Sequence, residues 1–339
     1  DAYRELPKYQ FSIEEEDNNL ERLSKEIISA NKGEYDCIIG MSGGVDSSYV
    51  CHLAKKMNLN PLCVHFDNGW NSELAISNIE KLTNKCGFDL YTYIIDWDEF
   101  RDLQRSFFKA GVIDIEMLTD HAILATLTKL AKKMSVNILL SGANYNTEHG
   151  IPKSWAWSKQ DLKNIRSIHK KYGDVKLKTF PTLGFIKYGL IKVFNLGYKI
   201  KEPLNSINYS KKHAIETLET LYKWRNYGGK HYESTFTKFY QAHVLVKKFK
   251  VDKRISHLSC LIRTGEISKT EALVEIAKPL YKEKELNSEL RYVSKKLGFE
   301  PSELEDILDQ SPVAHDHYPS DISFINFFKN LVMQFRKDT

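Results

Sequence analysis

Apolar and polar positions along residues 35–140 follow two periods in turn. Short apolar runs at 35–41, 61–66, 90–95 and 136–140 have the length of buried strands. Between them, apolar residues recur at three- and four-residue spacing over 45–57, 72–86, 97–109 and 119–134. Strands alternating with helices predict an α/β fold: a doubly wound, mostly parallel sheet. Leu20, Leu23, Ile27 and Ile28 predict one helix ahead of it. Residues 177–180, just before Pro181, read as a fifth strand. From Ser210 onward the period is helical, with helices expected over 211–223, 232–248, 253–263, 269–277, 285–297 and 303–309. Ser268 with Glu271, and Ser302 with Glu305 after Pro301, have capping-box spacing. Three regions follow: an N-terminal helical extension, 1–33; an α/β domain, 34–205; and a mainly helical region, 206–339.

Composition narrows the class. Of 339 residues, 42% are hydrophobic and 27% charged, the balance of a soluble globular chain. A net charge of +5 permits anionic partners but does not demand nucleic acid, and none is expected. The cysteines Cys37, Cys51, Cys63, Cys86 and Cys260 form no Cys-x-x-Cys pair, so zinc-site spacing is absent. Several sit in apolar runs, which points to a reducing, cytoplasmic setting. No apolar run reaches transmembrane length. The stretch 184–200 comes nearest but carries Lys187, Lys192 and Lys199, so it cannot span; a buried amphipathic helix or strand pair is expected there, ahead of a membrane-surface or partner-packing element. The chain opens at Asp1 without methionine, so an upstream segment is expected to have been removed or left out.

The candidate chemistry begins where the first strand meets its helix, at Met41-Ser42-Gly43-Gly44-Val45-Asp46-Ser47-Ser48. Two glycines let the backbone turn sharply and let a ligand come close. A helix starting there aims unpaired N–H groups and its positive dipole end at an anion, for which phosphate is the natural occupant. Ser42, Ser47 and Ser48 add hydroxyls. Asp46 adds a carboxylate, which beside phosphate suits Mg²⁺. In this topology ligands bind at the carboxyl ends of the strands. Two further loops should therefore converge there. His65, Phe66 and Asp67 follow the second strand, on the expected adenine and ribose side, although Asp67-Asn68-Gly69 alone is also an ordinary turn. Ser141, Gly142 and, further on, Glu148 follow the fourth strand, with Glu148 placed to join Asp46 on Mg²⁺. Asp120 and His121, at an expected helix start, read as cap residues or as substrate or nucleotide contacts.

A second unusual stretch runs from Arg225 to Ser234. Gly228-Gly229 ends one helix, and Lys230 and His231 open the next against the dipole preference. That cost marks both as catalytic candidates, with Lys230 placed to neutralise leaving pyrophosphate. Lys238, Lys253, Arg254 and His257 form a further basic set.

The loop at 42–48 resembles the SGG-x-DS loop of the PP-loop ATP pyrophosphatases, which split ATP into AMP and pyrophosphate. Longer strings resemble one family within them: SGGVDSSYV, HFDNGWNSE (65–73), YTYIIDWDEFRDLQ (91–104), TDHAI (119–123), YGGKHYESTFTKFYQ (227–241) and VDKRISHLS (251–259). The family is the N-acetyl sugar amidotransferases of bacterial surface-polysaccharide (lipopolysaccharide O-antigen) biosynthesis, and the likeness runs from about residue 35 to 300. It implies that ATP, with Mg²⁺, adenylates the oxygen of an acetamido group on a nucleotide-linked sugar. Ammonia then displaces AMP to leave an acetamidino sugar. It also implies a sugar pocket lined by Tyr, His and Trp of the second half. Family members often carry a cysteine-containing segment ahead of this domain, which this sequence does not include.

No cysteine lies in a Gly-x-Cys-x-Gly turn, so a class I glutaminase is not built in and a separate glutaminase subunit is expected to supply ammonia. Two other readings compete. A PP-loop tRNA-modifying enzyme would need a basic, aromatic nucleic-acid surface, for which only the Lys- and Tyr-rich 170–200 speaks. A non-catalytic nucleotide-binding protein would keep the loop and lack turnover.

Overall fold

The computed structural model describes residues 6–148, 150–185, 187, 189, 198–227 and 233–327. Side chains of residues 6, 7 and 148 are outside that description. Five parallel strands form one sheet: β1 (Cys37–Met41), β2 (Pro61–Asp67), β3 (Asp89–Ile94), β4 (Ile138–Leu140) and β5 (Lys199–Lys201). Their order is β3-β2-β1-β4-β5, so the winding reverses between β1 and β4. The doubly wound α/β class read from the sequence holds.

Alternation along β1 sends its side chains to two different cores. Cys37, Ile39 and Met41 face α1 (Ile13–Ser29), α2 (Val45–Lys56), α3 (Glu73–Cys86) and a later helix, Lys211–Tyr222. Ile38 faces the other way, with Leu62, Val64 and Leu139, onto α5 (Met117–Lys133). The helix α4 (Trp97–Ala110) departs from this layering. Its Phe100, Leu103, Phe107 and Phe108 form a third core with α7 (Leu162–Tyr172) and the C-terminal helices.

After the short helix α6 (Tyr145–Glu148) and α7, the helix α8 (Lys211–Tyr222) returns to the sheet. Next come α9 (Thr235–Phe239), a π turn (Tyr240–Val244) and α10 (Leu245–Phe249) in one continuous run. They are followed by α11 (Arg254–Arg263), α12 (Lys269–Ala277), α13 (Glu283–Leu297) and α14 (Pro301–Asp309). Among the described residues, no helix is long and apolar enough to cross a membrane.

Three local expectations are corrected. Residues 177–180 are not a strand; the fifth strand is Lys199–Lys201, paired with β4. The amides of Lys178, Thr179 and Phe180 donate instead to the buried Glu99 carboxylate at 2.7–3.0 Å. Asp102, one turn on, accepts from the amides of Asp174 and Val175. Two carboxylates of α4 thus hold this loop, and a ladder has no amides left to use. Ser302 caps nothing: Pro301 takes the first helical position and Glu300 the cap, because proline's missing N–H costs least there. Finally, α5 starts at Met117 with Glu116 as its cap, so Asp120 and His121 lie within the helix. The box of Ser268 and Glu271 forms as expected, and Ser12 with Glu15 forms another.

Candidate active site

Gly43 takes φ +81°, and a Cβ there would come within 2.8 Å of the Ala75 carbonyl. Only glycine fits, and that fixes the turn against α3. Gly44 caps α2 with no side-chain bond of its own, so the helix start is dressed from elsewhere. Ser47 Oγ accepts from the Ser42 amide and donates to the Gly44 carbonyl, both at 3.3 Å. Ser42 Oγ lies 3.1 Å from Ser47 Oγ. The Ser48 hydroxyl is fully buried with no hydrogen-bond partner among the described residues.

Two tyrosines from distant sequence complete this loop. Val45 N–H donates to the Tyr227 hydroxyl at 3.0 Å. The Tyr209 hydroxyl donates to Asp46 Oδ1. Burial pushes both phenols up, and the nearby charges of Glu233 (on Tyr227) and Asp46 (on Tyr209) add to it. A Cβ on Gly44 would sit 3.3 Å from the Tyr227 hydroxyl and 3.4 Å from the Glu233 carboxylate. The residues flanking 228–232 therefore stand over the loop.

The strand-end loops converge as the topology requires. A Cβ on Gly142 would lie 3.0 Å from the Ser47 amide, so the β4 loop touches the start of α2 at the winding reversal. Ser141 Oγ accepts from the Ala143 amide, which shapes that turn. On the other side, His65 Nδ1 lies 3.0 Å from the Met41 carbonyl and its Nε2 3.4 Å from the Asn71 amide nitrogen. His65 is buried and ties two loops together. Asp67 Oδ1 accepts from the Gly69 amide at 2.8 Å, so it shapes the turn. Phe66 is the member of this trio that lines a cavity, and it stacks on Tyr93 at 5.4 Å.

That cavity, about 600 Å³, opens at the carboxyl ends of β1 and β2. Gly40, Met41, Val64, Phe66, Ile123 and Leu127 give it an apolar half. Ser42, Asn68, Thr119, Asp120 and residues of the C-terminal region give it a polar half. A Cβ built on Gly40 would meet nothing within 4 Å, so the absent side chain leaves open space. A larger cavity, about 890 Å³, lies over β3 and the outer side of α5. Its lining includes no residue of the phosphate loop, so the smaller cavity is the candidate site.

Asp120 and His121 part company. His121 is buried, with Nδ1 2.6 Å from the Lys159 carbonyl and Nε2 accepting from the Leu183 amide. Burial pushes its pKa down, and its role is structural. Asp120 reaches the cavity and pairs with Lys159 at 3.1 Å. Burial pushes its carboxyl up against the opposing charge of Lys159, and Asp114 and Glu116 add to the rise.

Lys230 and His231 lie outside the described residues, as does the side chain of Glu148. Of the other basic candidates, Lys238 pairs with Glu285 and Glu289, and Arg254 with Asp252. Lys253 and His257 line the cavity. Trp157 stacks on His315 at 4.9 Å in the third core and does not line this cavity.

Among the described residues no cluster of three or more His, Cys, Asp or Glu side chains is poised for a metal. Magnesium bound with nucleotide needs only one or two carboxylates. Asp46 fits that need. Burial pushes the nearby Glu266 carboxyl up, with Lys211 opposing and Asp46 adding to it, and Glu266 Oε1 is buried without a hydrogen-bond partner among the described residues. A cation would relieve that accumulation of negative charge.

Sequence reasoning missed Tyr209, Glu233, Glu266 and the cavity's Glu116 and Gln241. Tyr227 and Glu233 do fall within the stretch 225–234, whose glycines and charges drew attention to Lys230. Nothing local marks Tyr209 or Glu266.

Comparisons with known proteins match two separate stretches of the chain. Residues 36–143 match the family described as "Asparagine synthase". Residues 233–332 match "LPS biosynthesis protein WbpG-like, C-terminal domain". Each match covers less than half of the chain. The chain thus joins an asparagine synthase-like domain of the adenine nucleotide α-hydrolase type, a likeness that implies ATP use, to a WbpG-like C-terminal domain of the lipopolysaccharide-biosynthesis kind. A curated relative, "Uncharacterized protein MJ1599" of Methanocaldococcus jannaschii, is 29% identical over 157 residues, 44% of this chain and 54% of its own. The chain spans about half the length of that relative. Among solved structures, NMN synthetase from Francisella tularensis is similar over 95% of this chain and 94% of its own, at 16% identity and TM-score 0.39. NH3-dependent NAD synthetase from Campylobacter jejuni is similar over 53% and 84%, at 13% identity and TM-score 0.32. Likeness this loose carries no argument about substrate.

Proposed function

We propose that this chain is an ATP-dependent amidotransferase that turns an acetamido group on a sugar into an acetamidino group, in surface-polysaccharide biosynthesis. The observation that carries this reading is one cavity with two kinds of wall: Ser42 at the start of the phosphate loop and the strand ends on one side, the WbpG-like region on the other.

An amide carbonyl is a poor electrophile because its nitrogen donates into it. In the proposed reaction the amide oxygen attacks the α-phosphorus of ATP and pyrophosphate leaves. Ammonia adds to the carbon, and AMP departs with the former amide oxygen. The chain's contribution is positioning and charge stabilisation. Ser42, Gly43, Gly44, Val45 and Ser47 cradle pyrophosphate, and the buried Ser48 shapes the helix start behind them. Phe66, with the space over Gly40, takes the base; His65 and Asp67 hold that edge in shape. Ser141 and Gly142 border the α-phosphate. Asp46 holds Mg²⁺, with Glu148 the expected second ligand; the ion supplies neutralisation of phosphate charge. Lys230 stabilises the departing pyrophosphate and His231 assists it. The sugar is nucleotide-linked, and a separate glutaminase subunit delivers ammonia.

The test is AMP and pyrophosphate release with ATP, ammonium and acetamido sugars, for the wild type and Asp46→Asn. The variant is expected to lose on the order of 100-fold or more in kcat, the scale of removing one preorganised electrostatic group. Turnover by Asp46→Asn at the wild-type rate sinks the assigned role.

A further inference from the structure

The C-terminal run of helix contains a π turn at Tyr240–Val244, one residue more than an α-helix needs. Such insertions carry a cost and mark functional sites more often than chance. Here Tyr240, Ala242 and Val244 are buried, and Gln241 between them lines the active-site cavity. Gln241 Nε2 donates to Glu116 Oε2 at 3.2 Å. Lys253 Nζ donates to the same oxygen at 3.2 Å. Glu116 and Lys253 are both largely buried, with side chains 18% and 21% exposed. Thr119 and Thr237 add hydroxyls to the same cavity.

A carboxylate at a helix start is ordinary, since it complements the dipole. The surroundings of Glu116 are not ordinary. An amide presented by a helix defect and an ammonium from the cap residue of α11 meet it inside the site. A triphosphate gains nothing from a carboxylate in the wall. A ring of vicinal hydroxyls does: each hydroxyl both donates and accepts, and planar carboxylates and amides offer both partners side by side.

We infer that Glu116, Gln241 and Lys253 form the subsite that recognises the hydroxyls of the acceptor sugar, and that the π turn exists to place Gln241 in it. This deepens the proposed reading, because it takes the second ligand of the cavity to be a pyranose. It adds these three to the Tyr, His and Trp side chains expected of the sugar pocket, of which His257 lines this cavity. The three are specificity-determining residues, and ATP is read elsewhere in the cavity.

The experiment uses the whole chain and a panel of N-acetylhexosamines, free and linked to uridine diphosphate. Gln241→Leu removes the amide at similar volume, and Lys253→Met does the same for the ammonium. Calorimetry gives sugar binding without turnover, and AMP release gives KM for sugar and for ATP. The expected result is a sugar Kd and KM raised on the order of tenfold or more in both variants, with KM for ATP within about twofold. A parallel rise in both KM values, unchanged sugar binding in both variants, or no sugar of the panel binding the wild type overturns the inference. Sugar binding that the variants weaken, with no AMP formed by the wild type, sinks amidotransfer and leaves the subsite standing.

Discussion

Single glycines carry much of this site, in opposite ways. Gly40 leaves open space where a base is proposed to sit, and its backbone is unstrained. Gly40→Leu should therefore fill the cavity and raise KM for ATP on the order of tenfold or more, while unfolding stability stays within about 0.5 kcal/mol. Parallel ATP titrations and urea curves check both halves. Gly142 is tight: its Cβ would press on the backbone of Asp46 and Ser47. Gly142→Ala should push the β4 loop off the α2 start and reduce AMP formation about tenfold or more, because displacements near 1 Å already matter for catalysis. Wild-type kcat in Gly142→Ala would mean that the contact is incidental. His315 tests a different property. Its Nδ1 lies 2.7 Å from Asn164 Oδ1 and its Nε2 accepts from the Asp114 amide, which only neutral imidazole can do. Burial pushes its pKa down to about 4, from an ordinary 6.5. The folded form resists a proton that the unfolded chain accepts, so this contribution is complete above pH 6.5 and is lost as pH falls toward 4. The loss should be on the order of 3 kcal/mol, and a His315→Asn protein should show a flatter pH dependence by urea denaturation.

Among elements, α4 is the least expected. Its place between two strands predicts one more helix of the alternation, yet it anchors the third core and binds the 174–180 loop through Glu99 and Asp102. Glu99→Gln keeps the shape and removes the charge that three amides share. It should cost about 1–3 kcal/mol in urea unfolding and leave the phosphate loop untouched. Equal stability of Glu99→Gln and wild type would contradict that role. The same helix shows why the fifth strand was misplaced. Residues 177–180 have strand-like composition, but a carboxylate 79 or more positions away claims their amides. The true strand, Lys199–Lys201, is three residues long and carries two lysines, so its pattern is nearly silent. Helices with clear periods, such as Lys269–Ala277, were legible to the residue. Helix starts were not when two capping rules competed, as at Pro301.

At the scale of the molecule, the β1–α2 turn and the converging strand ends were legible because glycine, strand period and topology act locally or by rule. Tyr209 and Tyr227 were not, because they reach Asp46 and Val45 across 163 and 182 positions, and composition holds no record of such contacts. The same holds for Gln241 and Glu116, 125 apart. What the fold adds is therefore the meeting of two regions: an asparagine synthase-like sheet, proposed to handle nucleotide, and a WbpG-like helical part whose backbone pairs with it at Asn71 and Ser234. The most direct test of their joint purpose is mass spectrometry of acetamido sugars incubated with the chain, ATP, Mg²⁺ and ammonium. Exchange of oxygen for NH should make one sugar about one dalton lighter, with AMP and pyrophosphate formed in equal amount to it. ADP and phosphate in place of AMP, or AMP released with every candidate sugar unchanged in mass, would contradict the amidotransferase reading.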